Sequence, residues 1–286
     1  RREEETPGAA GRAKPGLLAL AALAGTVIAL ALILPARNFY VAGTQGALGA
    51  RALLNKDLAA AQKYYAAAHR LDPFTASYAA DLGQIYAAEA VAEDDAIKHY
   101  KALALAREAA RAEPYNTQVR AVLVNLYLLL KEPALAAREA EALLRANPMV
   151  ASSYEIAAAT RVEAARHYLR LGKPGEARPF LQPPRNLVRE MEKRGLQPTP
   201  RFILVLGQLE ALAGRCDAAR QHLEAAARHK EAGAEAAAWL AVVLGRSGDR
   251  AAAQAVEQLK KKGAEAFKLY ETLREESRFW PSPQSR

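Results

Sequence analysis

The sequence predicts an all-α protein in which one membrane-spanning helix precedes about six helical hairpins. Alanine supplies 67 of the 286 residues and aromatic residues only 7%, a composition that suits closely packed helices and argues against a β-sandwich or barrel. Apolar residues recur at helical spacing along most of the chain, and short turn signals interrupt them. The single cysteine, Cys216, excludes a disulfide scaffold.

An uncharged run extends from Pro15 to Ala36, near the start of the chain. Because roughly 20 helical residues cross a hydrocarbon core about 30 Å thick, the run predicts a transmembrane helix over residues 15–36. The apolar core of a cleaved signal peptide is shorter, about 7–15 residues, and a buried core helix is seldom so apolar on all sides. Phe39 and Tyr40 follow the run, and we expect them at the lipid–water boundary.

The distribution of basic residues gives this helix an orientation. The run is preceded by four basic residues, Arg1, Arg2, Arg12 and Lys14. It is followed by Arg37, and the next basic residue is Arg51. We therefore expect residues 1–14 to be cytoplasmic and the repeats to lie outside the bacterial cytoplasmic membrane. Since the chain starts at Arg1 rather than methionine, we also expect a processed product or a piece of a longer protein. If transmembrane spans precede this piece, they would override the rule that gives the orientation.

A regular pattern of alanines and prolines organises residues 37–263. Six alanines follow one another at spacings of 41, 34, 41, 42 and 34: Ala61, Ala102, Ala136, Ala177, Ala219 and Ala253. A proline follows each of the first three alanines at one constant offset, at Pro73, Pro114 and Pro148. The seven or eight extra residues in three steps equal about two helical turns, so the apolar face stays inward. At the second position of this series, Ala96 followed by Tyr100 fits the pattern as an alternative to Ala102.

This pattern resembles the tetratricopeptide repeat, a helix–turn–helix unit of about 34 residues. Leu48-Gly49, Leu82-Gly83 and Leu206-Gly207 match its first helix, and the alanines and prolines match its second helix and closing turn. The resemblance implies a right-handed superhelix in which the first helices line a concave groove. It also implies that proteins or peptides bind in that groove.

Two regions depart from the repeat. Pro179, Pro183 and Pro184 predict a short helix, a break near residues 182–184 and a new helix over residues 185–193. Residues 264–277 predict a final helix that caps the solenoid, because terminal repeats need a polar outer face. We expect residues 281–286 to form a disordered tail.

The sequence contains no HExxH, no glycine-rich phosphate loop and no GxSxG element. We therefore predict no enzymatic activity, no catalytic residue, no cofactor and no metal site. Asp95 and His99 lie one helical turn apart, but acidic residues near a helix start explain that cluster. Although the net charge is +9, basic residues are dispersed without aromatic interleaving, so no nucleic-acid partner is expected.

Four polar residues occupy equivalent first-helix positions, at spacings of 41, 41 and 42: Gln84, Asn125, Arg166 and Gln208. These candidate groove residues could hydrogen-bond an extended peptide or a sugar chain. Ordinary exposed helix positions would produce the same pattern, and both interpretations remain open.

A second resemblance is to the C-terminal tail of bacterial O-antigen ligase or polymerase-like membrane proteins. It is carried by residues 34–37, 69–74, 78–86 and 111–116. This resemblance implies a non-catalytic tail and a cell-envelope glycan as ligand. Two functions therefore stay open, a membrane-anchored scaffold for proteins on the extracytoplasmic side and the tail of a glycan-transferring membrane protein.

Overall fold

The computed structural model describes residues 15–182 and 185–283, and this part of the chain contains 14 α-helices and no strand. The predicted all-α fold class is therefore confirmed. The chain divides into two compact units, unit 1 up to Tyr78 and unit 2 from Ala79 onward. The predicted cytoplasmic segment, residues 1–14, lies outside the described residues.

Unit 1 contains α1 (Pro15–Leu54), α2 (Leu58–Leu71) and the start of α3 (Ala76–Glu93). The side chains of residues 22–40 are all exposed, and by length and composition α1 can cross a membrane. Pro35 lies inside α1 and does not end it. The predicted boundary at Ala36 therefore falls within one continuous helix, which joins the apolar run to the first hairpin without a loop.

Small residues bring α1 and α2 together in unit 1. A buried stripe on α1 comprises Ala42, Gly46, Gly49 and Ala52. The stripe packs against α2, whose buried residues include Ala61 and Tyr65, and at Gly46 against Tyr78 of α3. A Cβ atom on Gly49 would lie 2.8 Å from the Tyr65 ring, so only glycine permits this approach.

Unit 2 continues with α3 and contains eleven further helices. They are α4 (Ala96–Ala112), α5 (Thr117–Leu129), α6 (Pro133–Ala146), α7 (Ala151–Arg170), α8 (Pro174–Ala177), α9 (Arg185–Lys193), α10 (Pro200–Leu212), α11 (Cys216–Ala227), α12 (Gly233–Arg246), α13 (Ala252–Lys262) and α14 (Ala264–Glu276). The short α8 and the new helix α9 agree with the predicted break, whereas Pro183 and Pro184 themselves lie outside the described residues. The final helix α14 also forms as predicted.

Each of the six hairpins in the described residues turns at one residue with a left-handed backbone. The six are Lys56, Asp94, Lys131, Gly172, Gly214 and Gly248, with φ between 53° and 76°. The N–H of the following residue then bonds the carbonyl five residues back, as from Arg215 to Glu210 at 2.9 Å. This helix-ending motif favours glycine, and three hairpins adopt it without glycine. The sequence therefore gives a clear signal for only half of these turns.

Five of the six predicted alanines are buried, but Ala102 lies eight residues after its left-handed residue, whereas the other four lie five residues after theirs. Ala61, Ala102, Ala136, Ala177 and Ala219 have no exposed surface. The alternative of Ala96 with Tyr100 is wrong, because Ala96 is exposed and Tyr100 is 71% exposed. Small residues at these positions let the two helices of a hairpin approach closely.

Ala253 is the exception, because its side chain is exposed. The fifth hairpin has its left-handed residue at Gly214 and begins its second helix two residues later. The sixth hairpin begins α13 four residues after Gly248. Two extra turn residues move the packing position from Ala253 to Ala255, which is partly buried against the core.

We expect Gly207→Ala to lower the free energy of unfolding by about 1–3 kcal/mol, because overpacking strains a close-packed core. A Cβ atom at Gly207 would lie 2.7 Å from Leu223 Cγ, between α10 and α11. The matched control is Gly245→Ala in α12, where a Cβ atom meets nothing within 4 Å and the helix gains up to about 1 kcal/mol. Urea unfolding measures the free energy of unfolding of both variants. Equal changes in the two variants would contradict the inference that the close approach of α10 and α11 requires glycine at position 207.

Candidate functional site

The four candidate groove residues lie on the first helices of four hairpins in unit 2. Gln84 is partly exposed on α3, and Asn125 is exposed on α5. Arg166 on α7 is partly buried, and Gln208 on α10 is only 5% exposed. The Gln208 amide donates a hydrogen bond to Glu235 of α12 at 2.7 Å, so the ladder does not present four equivalent side chains to solvent.

One side of α5 stays open to solvent around Asn125. Gln118 and Leu129 are exposed and Val122 is partly exposed, and all lie on the same side of the helix because their spacings are four, three and four residues. Their side chains offer amide hydrogen-bonding groups beside apolar surface. That combination suits an extended polypeptide, which presents both main-chain polar groups and side chains.

Arg166 is held by an ion pair within unit 2. Its Nε and Nη2 atoms both donate to the carboxylate of Glu276 at the end of α14, each at 3.0 Å or less. The side chains are 18% and 12% exposed, so this two-pronged pair is largely shielded from water. A charge-assisted pair of this geometry fixes orientation as well as adding stability. Arg166 therefore anchors the end of α14.

The residues after α14 continue across α12. A short 3-10 helix covers Ser277–Phe279, and the Trp280 ring then stacks on Trp239 with 5.2 Å between ring centroids. Nη2 of Arg246 donates to the carbonyl oxygens of Trp280 and Pro281, at 3.3 and 2.6 Å. Residues 276–283, which we call the C-terminal segment, are thus held by an ion pair, a ring stack and main-chain hydrogen bonds.

The predicted disorder of the tail is wrong for residues 281–283. Pro281 is partly buried, and the Ser282 carbonyl oxygen lies 2.7 Å from where a Cβ atom on Gly214 would stand. The tail is ordered because Trp239, Arg246 and Gly214 receive it, and none of these contacts is local in sequence. Residues 284–286 lie outside the described residues.

A cavity adjoins the end of this segment. It has a volume of about 690 Å³, and its lining includes Arg178, Arg215 and Pro281 together with the turn that follows α8. Arg215 also pairs with Glu210, which is only 4% exposed. Sequence reasoning missed this cavity, since it forms only where the C-terminal segment meets the irregular fourth hairpin.

The acidic cluster around Asp95 makes structural contacts at the start of α4. Asp95 caps α4 by accepting from the N–H groups of Ile97 and Lys98, and Glu93 pairs with the Lys98 ammonium at 2.8 Å. Burial raises the pKa of the Cys216 thiol, which therefore stays protonated at neutral pH. No group of three or more His, Cys, Asp or Glu residues suited to a metal occurs in the described ranges.

Comparison with solved structures identifies proteins with a similar fold. PilF of Pseudomonas aeruginosa shares 17% identity and matches with a TM-score of 0.50, covering 82% of this chain and 99% of that one. PilW, a widely conserved type IV pilus biogenesis factor, shares 19% identity with a TM-score of 0.53, covering 80% and 97%. Both contain tetratricopeptide repeats, so the predicted repeat fold is confirmed.

The sequence comparisons add no relative. No protein-family model matches the chain, and no curated protein matches it. The resemblance to the tail of O-antigen ligases is not shown and stays a prediction. The role of Gln84, Asn125, Arg166 and Gln208 in binding also stays a prediction.

We expect Glu276→Gln to lower the free energy of unfolding by about 2 kcal/mol, because Arg166 loses a charged partner in a shielded position. Glu275→Gln, an exposed neighbour on the same helix, is the matched control and should change stability little. Thermal unfolding of these variants, of Arg166→Gln and of the double variant gives the coupling energy. A coupling near zero would show that the pair does not hold α14 in place.

Proposed function

We propose that this protein is a membrane-tethered scaffold whose helical hairpins hold a partner protein at the outer face of the bacterial cytoplasmic membrane. The observation that carries the proposal is α1, whose exposed apolar run continues without a break into a hairpin of tetratricopeptide type. The fold supports protein binding in general, and the apolar run supports a membrane anchor.

The open side of α5 is the part of unit 2 where we propose that the partner docks. Asn125 provides hydrogen-bonding groups there, beside the exposed Leu129. Gln84 on α3 is the nearest equivalent in the preceding hairpin. Arg166 and Gln208 are not part of this docking surface, because their polar groups already bond Glu276 and Glu235.

Tethering strengthens such an interaction without further contacts. A partner that also resides in or on the membrane meets the hairpins at a raised effective concentration. Individual contacts can then be weak while the complex persists. The orientation, with the N-terminus inside, rests on the basic residues that precede the apolar run.

We expect a photo-crosslinking amino acid at Asn125 or Gln84 to yield a discrete adduct with a membrane or envelope protein in the source cell. Arg138, which is exposed on the second helix α6, is the matched control position and should yield none. The adducts are separated by gel electrophoresis and identified by mass spectrometry. The same adducts from all three positions, or none from positions 84 and 125, would contradict docking on the first helices.

We expect the proposed orientation to appear in cysteine labelling of intact spheroplasts with a membrane-impermeant maleimide. In a Cys216→Ser background, Tyr115→Cys should react at once, because Tyr115 is 84% exposed in a turn of unit 2. Glu4→Cys, in the N-terminal segment, should react only after the membrane is permeabilised. The reverse order would show that the hairpins are cytoplasmic.

A further inference from the structure

The turn between α2 and α3 in unit 1 exposes a single large aromatic residue to solvent. Phe74 is 85% exposed. The turn around it is ordered, since the Asp72 carboxylate is buried and accepts from the Phe74 N–H at 3.1 Å and from the Thr75 hydroxyl. The Asp72 N–H donates to the Ala68 carbonyl oxygen and so makes the last hydrogen bond of α2. Phe74 is therefore presented by a fixed turn and is left without cover in unit 1.

The packing of unit 1 determines which residues of α1 lie at the same height as Phe74 along the axis of α1, a position called here its level. The antiparallel helices bring Gly49 against Tyr65, and Gly46 lies against Tyr78 at the start of α3. Since each helical residue advances about 1.5 Å, following α2 onward from Tyr65 brings the turn to the level of residues 40–42 of α1. Counting back four residues from Tyr78 gives the same level. Phe74 thus stands level with residues 40–42 of α1, about 6–9 Å beyond the end of the apolar run at Ala36.

Two more exposed aromatic residues lie at this level. Phe39 is 66% and Tyr40 is 77% exposed, and both follow the apolar run that ends at Ala36. A bilayer with a core of about 30 Å measures about 40–45 Å with its headgroups, so each headgroup layer is about 5–7.5 Å deep. The four residues from Ala36 to Tyr40 advance about 6 Å along the helix. Phe39 and Tyr40 therefore fall within the headgroup layer when the run spans the core, and Phe74 stands near its outer edge.

We infer that the turn between α2 and α3 docks into the lipid–water interface of the membrane that α1 crosses, with Phe74 as a second contact beside Phe39 and Tyr40. This inference rests on the proposed membrane anchor, but it holds for either orientation. Aromatic rings favour this layer because one part is apolar and the ring tolerates the polar boundary. Arg37 and Arg70 are exposed near the same end and complement anionic headgroups, whereas the Asp72 carboxylate is turned inward.

The opposite end of the hairpin carries a comparable apolar side chain that should not meet lipid. Leu54, at the end of α1, is 84% exposed. It lies about 21 Å beyond Tyr40 along the helix. A hydrophobic residue that contacted lipid merely because it is exposed would do so at either end. A comparison of lipid contact at Phe74 and Leu54 therefore tests whether the position along α1, rather than exposure alone, determines which residue meets the membrane.

The test uses the full chain in vesicles of phosphatidylcholine and phosphatidylglycerol at three to one. An environment-sensitive NBD probe is attached to Phe74→Cys, Leu54→Cys or Ile28→Cys in a Cys216→Ser background, and each variant's fold is checked by circular dichroism. Quenching by lipids with spin labels in the headgroup or deep in the acyl chain reports the depth of each probe. Position 28 should be quenched from the deep label. Position 74 should be quenched from the headgroup label at least threefold more than position 54.

The outcomes separate this inference from the proposal on which it rests. If position 28 gives the water-exposed signal, α1 does not span the bilayer and both fail. If position 28 lies in lipid and position 74 behaves like position 54, the membrane anchor stands and the docking of the turn is overturned. In the unlabelled chain, Phe74→Ser should leave the melting temperature unchanged, since the side chain makes no buried contact in unit 1.

Discussion

The close approach of two helices at a small residue is the constraint on which every hairpin depends. Ala61, Ala136 and Ala219 each stand fourth in their helix and are fully buried. Larger residues of the partner helix, such as Tyr65 against Gly49 and Leu223 against Gly207, then fill the remaining space. Because interiors pack at crystal density, a single added methyl group at such a contact must displace a neighbour. The spacing of small residues thus decides where hairpins can form.

The turns enforce this packing by fixing where each second helix starts. Five hairpins place the left-handed residue two residues before the second helix, so the fourth residue of that helix usually carries the buried alanine. The second hairpin instead buries Ala102, the seventh residue of α4. Lys56, Asp94 and Lys131 adopt this backbone although a side chain disfavours it, and the hydrogen bond from the following N–H to the carbonyl five residues back compensates. The sixth hairpin has a longer turn and packs a different alanine, Ala255, partly buried against the core.

At the C-terminus, side chains from two first helices hold one segment. Arg166 of α7 binds Glu276, and Trp239 and Arg246 of α12 bind Trp280 and its neighbours. These contacts occupy the Arg166 side chain, and Gln208 is bonded to Glu235 of α12. They leave the side of α5 around Asn125 open, which is why the proposed docking surface centres there. In unit 1, the continuity of α1 means that any tilt of the membrane helix is passed directly to the first hairpin.

The sequence by itself determined the fold class, the apolar run, the repeat spacing and the break before α9, because each is governed by rules that act within a few helical turns. Helical periodicity, proline geometry and the length of an apolar run need no distant partner. Only the tertiary structure decided that Ala253 is exposed, that Arg166 is paired and that residues 281–283 are ordered. Arg166 and Glu276 are 110 residues apart, and no local pattern signals that they meet. Which polar side chains remain free to bind a partner is therefore set by packing between distant helices, since a buried or paired group has already spent its hydrogen bonds.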